Sequence, residues 1–164
     1  MNAKLQQAME MRSHGEPEQA LILLRELLDE SPADAKVNYQ IAWTFDQLGK
    51  ESEAAPFYEA AIANGLSGED LRGALLGLGS TYRCLGEYEK SLAIFDRAVA
   101  EFPADRALKT FRALTLYNLG RFADSSEALL TQLLDTTSDE NIISYAGALR
   151  FYADNLNQTW ATGD

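Results

Sequence analysis

Cysteine and histidine are nearly missing from this chain, with one of each in 164 residues. A lone thiol closes no internal disulfide, which fits a reducing compartment and sets a cytoplasmic expectation. Basic residues are also few, 14 Lys and Arg against 25 Asp and Glu, for a net charge of -11. A nucleic-acid backbone must be met by clustered cations, so that class of partner is excluded, and an anionic membrane surface is disfavoured. No run of 18 apolar residues occurs, so no helix is expected to span a bilayer. The opening stretch, MNAKLQQAMEMRSHGEPEQA, has neither an apolar h-region nor a small-residue cleavage site, and no signal peptide is read there. Proline is sparse too, at 4 residues, which suits helices joined by short turns.

What is present is periodic. Gly15, Gly49, Gly86 and Gly120 are 34, 37 and 34 residues apart, each in a turn between two helical patterns. The spacing predicts helix A of unit one over 2–13 and helix B over 17–30, with Pro17 at a first helical position where its missing N–H costs nothing. Unit two puts Ile41, Ala42 and Phe45 on helix A and Ala54, Tyr58 and Ala61 on helix B. Pro56 lies inside that helix B, so a late start or a kink is expected. The three extra residues fall near NGLSGEDL, with Gly65 as a C-cap and Ser67 as an N-cap. They are expected to lengthen helix A of unit three by a turn.

Unit three is the clearest copy, with Leu78, Gly79 and Tyr82 at L-G-x-x-Y spacing, then Ser91, Phe95, Ala98 and Pro103. Its helix A also carries Gly73 and Gly77, each costing about 1 kcal/mol of helix propensity against alanine. Either tight helix packing or a close-lying backbone or ligand accounts for them. Unit four is weaker, with Ala113, Leu116, Gly120, Phe122 and Leu129, and with Ser125 where alanine is usual. The expected units are 1–34, 35–68, 72–105 and 106–139. One amphipathic helix over 138–156 follows and is read as a cap on the stack, and the tail 157–164, polar apart from Trp160, is read as mobile.

These residues resemble the tetratricopeptide repeat superfamily across 1–156, read as a single domain. The run GLSGEDLRGALLGLGSTYR followed by CLG further resembles a bacterial subgroup of short members of undefined role. The resemblance implies an all-α fold, a right-handed superhelix of four helix pairs plus a capping helix. It also implies that the A helices line a concave groove used to bind peptides or partner proteins. One specialisation of the superfamily is absent. A clamp for chaperone-tail carboxylates needs Lys and Asn in unit one, Asn in unit two and basic residues in unit three, where this chain has Leu5, Met9, Gln40, Gly73 and Gly77.

Candidate chemistry is thin. His14 ends a helix beside Gly15 and reads as a solvated or capping residue, two units away from Cys84. No Cys or His cluster has metal-ligand spacing, and GALLGLGS lacks the Gly-Lys-Ser/Thr ending of a phosphate loop. No enzyme activity and no cofactor are expected. Helix geometry is more informative, because helix A positions 2, 5, 9 and 12 point about 140° away from the packing face. That stripe reads Asn2, Leu5, Met9, Arg12; Lys36, Tyr39, Trp43, Asp46; Gly73, Leu76, Ser80, Arg83; and Ala107, Thr110, Leu114, Tyr117. Partial cover by the neighbouring A helix accounts for Leu5, Met9, Leu76 and Leu114. Amphipathic aromatics instead suggest binding anchors. The expected ligand-binding residues are Tyr39, Trp43, Arg83 and Tyr117, with Lys36 and Arg12 for an acidic or C-terminal carboxylate group on a protein or peptide partner. The expected role is a non-catalytic adaptor, and the alternative is a self-assembly module.

Overall fold

The periodic glycines end helices in one recurring way. In the computed structural model, which describes residues 3–160, each A helix closes with a glycine at positive φ: Gly15, Gly49, Gly86 and Gly120. The N–H after each glycine bonds five residues back, Glu16 to Met11, Lys50 to Phe45, Glu87 to Tyr82 and Arg121 to Leu116, all within 3.0 Å. The glycine N–H itself bonds three residues back. This is the Schellman closure, whose left-handed residue is disfavoured for any side chain with a Cβ. The repeat period is therefore the period of a helix stop.

Among the described residues ten helices result: α1 Ala3–Ser13, α2 Pro17–Glu30, α3 Ala35–Gln47, α4 Glu51–Ala63, α5 Gly68–Cys84, α6 Tyr88–Glu101, α7 Arg106–Asn118, α8 Phe122–Thr136, α9 Glu140–Ser144 and α10 Ala146–Ala153. Three helix starts, those of α3, α7 and α9, are set by aspartates. Asp34 accepts from the N–H groups of Lys36 and Val37, Asp105 from Leu108, and Asp139 from Asn141 and Ile142. The extra residues lengthen helix A of unit three as expected, since α5 has 17 residues against 13 in α3 and α7. Ser67 occupies the N-cap of α5, but its side chain makes no cap bond. Pro56 does not delay α4, which already begins at Glu51. The carbonyl it leaves unbonded belongs to Ser52, which is exposed and available to water.

The chain divides between Ala98 and Val99, within α6, into two compact units. In the N-terminal unit, α1 packs on α2 and α3, α3 on α4, and α5 on both α3 and α4. Fully covered alanines, Ala8, Ala20, Ala42, Ala54, Ala61 and Ala74, let the backbones approach, and Leu24, Ile41, Leu75 and Phe95 fill the space between. The C-terminal unit pairs α7 with α8 and lays α10 against α8, with Leu108, Ala113, Leu116 and Ala153 buried. Ser125, which stands where alanine is usual, and Ser91 at the same repeat position of unit three have the same explanation. Ser91 Oγ donates to the Gly79 carbonyl and Ser125 Oγ to the Ala113 carbonyl, both at 2.7 Å. Each buried hydroxyl is satisfied twelve residues back, on helix A of its own repeat.

The helix expected over 138–156 is two helices. At Tyr145 the backbone opens to φ -105, ψ 8, and its N–H bonds three residues back to Ile142 rather than four. α10 then docks on α8, and Arg150 and Arg106 each form an ion pair with Asp135, at 2.8 and 3.0 Å. Trp160, the one apolar residue of the tail, lies 5.7 Å from the Phe151 ring and 6.0 Å from Tyr152. The last four residues lie outside the described part of the chain.

Candidate functional site

Tyr39 and Trp43 are four apart on α3, one helical turn, so their rings stack with centroids 5.9 Å apart. Their fates differ. Tyr39 is only 8% exposed, covered on its other side by the Tyr58 ring of α4 at 6.2 Å, whereas Trp43 is 42% exposed. Gly73 and Gly77 of α5 face these tyrosines. A Cβ on Gly73 would lie 2.2 Å from Tyr39 Oη, and one on Gly77 would lie 2.4 Å from both Cζ and Oη of Tyr58. Of the two accounts of these glycines, tight packing holds, and what approaches is aromatic side chain rather than backbone.

Between α3 and α5 the packing leaves an open cavity of about 450 Å³, within the usual range for ligand pockets. Tyr39, Trp43, Tyr58 and Leu76 form its apolar wall; Asp46, Gln47, Arg72 and Ser80 supply its polar groups. Asp46 accepts from Tyr58 Oη at 2.7 Å and from Thr81 Oγ1 at 3.0 Å. Burial raises its carboxyl above the ordinary aspartate range, and the two hydroxyl donors only partly oppose that. Burial likewise raises Tyr39 and, far more, Tyr58, whose phenol also faces the Asp46 carboxylate.

The expected cations are differently employed. Arg12 is buried, donating to Gln40 Oε1 at 2.6 Å with its guanidinium 3.9 Å above the Trp43 ring centroid. Burial lowers its pKa, and the residue serves to back and orient Trp43. Lys36 is exposed and forms an ion pair with Asp70 at 3.5 Å. Arg83 is half-buried on α5 and does not line the cavity. Tyr117 belongs to the C-terminal unit, 60% exposed with Phe122 edge-on at 5.1 Å. Of the stripe's aliphatics, Leu5 is buried and Met9, Leu76 and Leu114 are half-buried, while Asn2 lies outside the described residues.

Sequence reasoning passed over Asp46 and Tyr58 as site residues. Tyr58 sits at an ordinary helix B packing position, and only its partner Gly77 signals that its ring reaches the groove. His14 is exposed with Nδ1 2.7 Å from the Glu10 carbonyl, and Cys84 is exposed. No group of His, Cys, Asp or Glu among the described residues is placed to hold a metal ion, and no described helix is long and apolar enough to cross a membrane.

Known proteins share this architecture. MamA residues 41 to the end, from Desulfovibrio magneticus RS-1, superposes with a TM-score of 0.72 at 19% identity, covering 94% of this chain and 88% of that one. YrrB, described as a TPR protein with an unusual peptide-binding site, gives 0.73 at 19% identity, covering 94% and 77%. Superkiller protein 3 of Saccharomyces cerevisiae is 24% identical over 106 residues, which is 60% of this chain but only 7% of that protein. The family model described as tetratrico peptide repeat matches residues 1–37 and 35–156. With its helix pairs closed by glycines at the repeat spacing and that match running over nearly its whole length, this chain belongs to the tetratricopeptide repeat family.

Proposed function

We propose that this chain is a non-catalytic adaptor that holds a peptide segment or partner helix in the groove of its N-terminal unit. The observation that carries the reading is the open cavity between α3 and α5, walled by the Tyr39–Trp43 stack with the Trp43 ring 42% exposed. The repeat fold supports a role in protein–protein interaction or scaffolding, and a rigid aromatic set beside a cavity is the usual anchor of such contacts. Lys36 and Arg83 remain in the proposal as cations of the A-helix face and Tyr117 as a separate contact on the C-terminal unit. A preference for an acidic or C-terminal carboxylate group would rest on Lys36, Arg12 and Arg83, the cations of the A-helix stripe. The single cysteine supports a cytoplasmic setting.

The test is partner capture by the full chain. Tyr39→Ala with Trp43→Ala should lower capture roughly thirtyfold or more, with the helices confirmed by circular dichroism. Glu18→Lys and Glu89→Lys, both exposed on B helices, should only shift its salt dependence. Normal binding by the aromatic variants with failure of the charge reversals would put the site on the B-helix surface. A second reading, self-association, is favoured by the C-terminal unit, where Leu129, Leu133, Phe151 and Leu156 are exposed and a groove of about 580 Å³ is lined largely by leucines. Light scattering that shows mass rising with concentration would support it, and an invariant monomer would exclude it.

A further inference from the structure

The cavity is polarised along its length. Arg72, near the start of α5, is tied to Glu69 at 2.8 Å, so that end carries a neutral pair. Thr81, the α5 residue that donates to Asp46, is nine residues further on, roughly 13 Å along the helix. The Asp46 end therefore holds a half-buried carboxylate whose hydrogen-bond partners, Tyr58 and Thr81, are both neutral hydroxyls. Each carboxylate oxygen accepts one bond and retains room for another. Glu51 adds to the negative potential there. A partly desolvated charge without a counter-ion is a costly arrangement that an incoming cation would relieve.

The wall leading to Asp46 suits a particular shape. Trp43 and Leu76 offer an apolar surface on which methylene groups can lie. Trp43 already has Arg12 over its ring, so the ring is matched to an aliphatic stem and the carboxylate to the charged head. The charge of -11 on the whole chain draws basic segments toward it.

We infer that the Asp46 end of this cavity receives a lysine or arginine side chain of the bound peptide, the stem along Trp43 and Leu76 and the cationic head on the Asp46 carboxylate. This rests on the groove reading above and adds its specificity. The experiment uses the full chain and four octapeptide pools that differ only at a fixed central residue, Arg, Lys, Leu or Glu, with uncharged residues elsewhere, read by fluorescence anisotropy. The Arg and Lys pools should bind about tenfold or more tighter than the Leu and Glu pools. Asp46→Asn should abolish that difference. Gln47→Lys, an exposed position on the cavity rim, should weaken the Arg and Lys pools selectively while leaving Asp46 and its hydroxyl donors intact. Trp43→Ala should weaken all pools. Equal binding of the Leu and Arg pools, preference for the Glu pool, or selectivity that survives both charge variants would overturn the inference and leave the groove standing. Failure of every pool to bind the wild-type chain would refute inference and groove together.

Discussion

Gly77→Ala is the sharpest probe of how the groove is built. On an exposed helix this change gains about 1 kcal/mol of helix propensity. Here the added methyl would lie 2.4 Å from Tyr58 Cζ and Oη and 2.7 Å from Cε1. Tyr58 is 2% exposed and its hydroxyl donates to Asp46 at 2.7 Å, so the ring can shift toward the cavity only by giving up that bond. Overpacking a site of this kind costs about 1–3 kcal/mol. Displacing the ring also weakens a hydrogen bond to a carboxylate, a further loss of about 1.5–3 kcal/mol. With the propensity gain of about 1 kcal/mol subtracted, the balance is a destabilisation of about 1.5–5 kcal/mol. Urea unfolding followed by circular dichroism reads it as a lowered midpoint. In a Tyr58→Leu background the ring atoms are gone, and the same substitution should cost little. Gly73→Ala is the built-in contrast, because its methyl meets only the phenol end of Tyr39 rather than the ring edge. If Gly77→Ala proves as stable as wild type or more so, the reasoning about ring confinement fails.

Two further outcomes follow from the same contacts. The folded-state pKa of Asp46 lies above its unfolded value, so its ionised form opposes folding above that raised pKa and the penalty lifts as pH falls through it. Asp46→Asn should therefore leave the unfolding midpoint unchanged or higher at neutral pH, with the difference from wild type shrinking toward about pH 4; a large loss at pH 7 would contradict the burial argument. Truncation after Asp139 removes α10 from α8, where Leu130 and Leu134 are half-covered. Uncovering a few hundred Å² at about 25 cal/mol per Å² amounts to several kcal/mol, so the product should aggregate or melt well below the full chain, and a soluble truncation of unchanged melting temperature would deny α10 a capping role.

The sequence alone determined the repeating helix pairs, because helix stops are local. A glycine after an amphipathic run closes a helix through bonds within six residues, and the aspartates after Pro32 and Pro103 open the next through bonds within three. The longer α5 was legible for the same reason, as an insertion between a glycine stop and a serine start. The aromatic stripe was legible from helical period, yet period gives only direction. Whether a side chain pointing that way meets water depends on the neighbouring helix. Tyr39 and Trp43 share a face, but Tyr58 of α4 covers one and leaves the other open. Charge was the least legible property. Arg12 donates to Gln40, 28 residues away, and Asp46 accepts from Tyr58 and from Thr81, 35 residues away, partners that no local pattern names. A charged group's role is set by what desolvates and partners it, and in a stack of helices those partners come from other turns of the superstructure, beyond the reach of any local pattern.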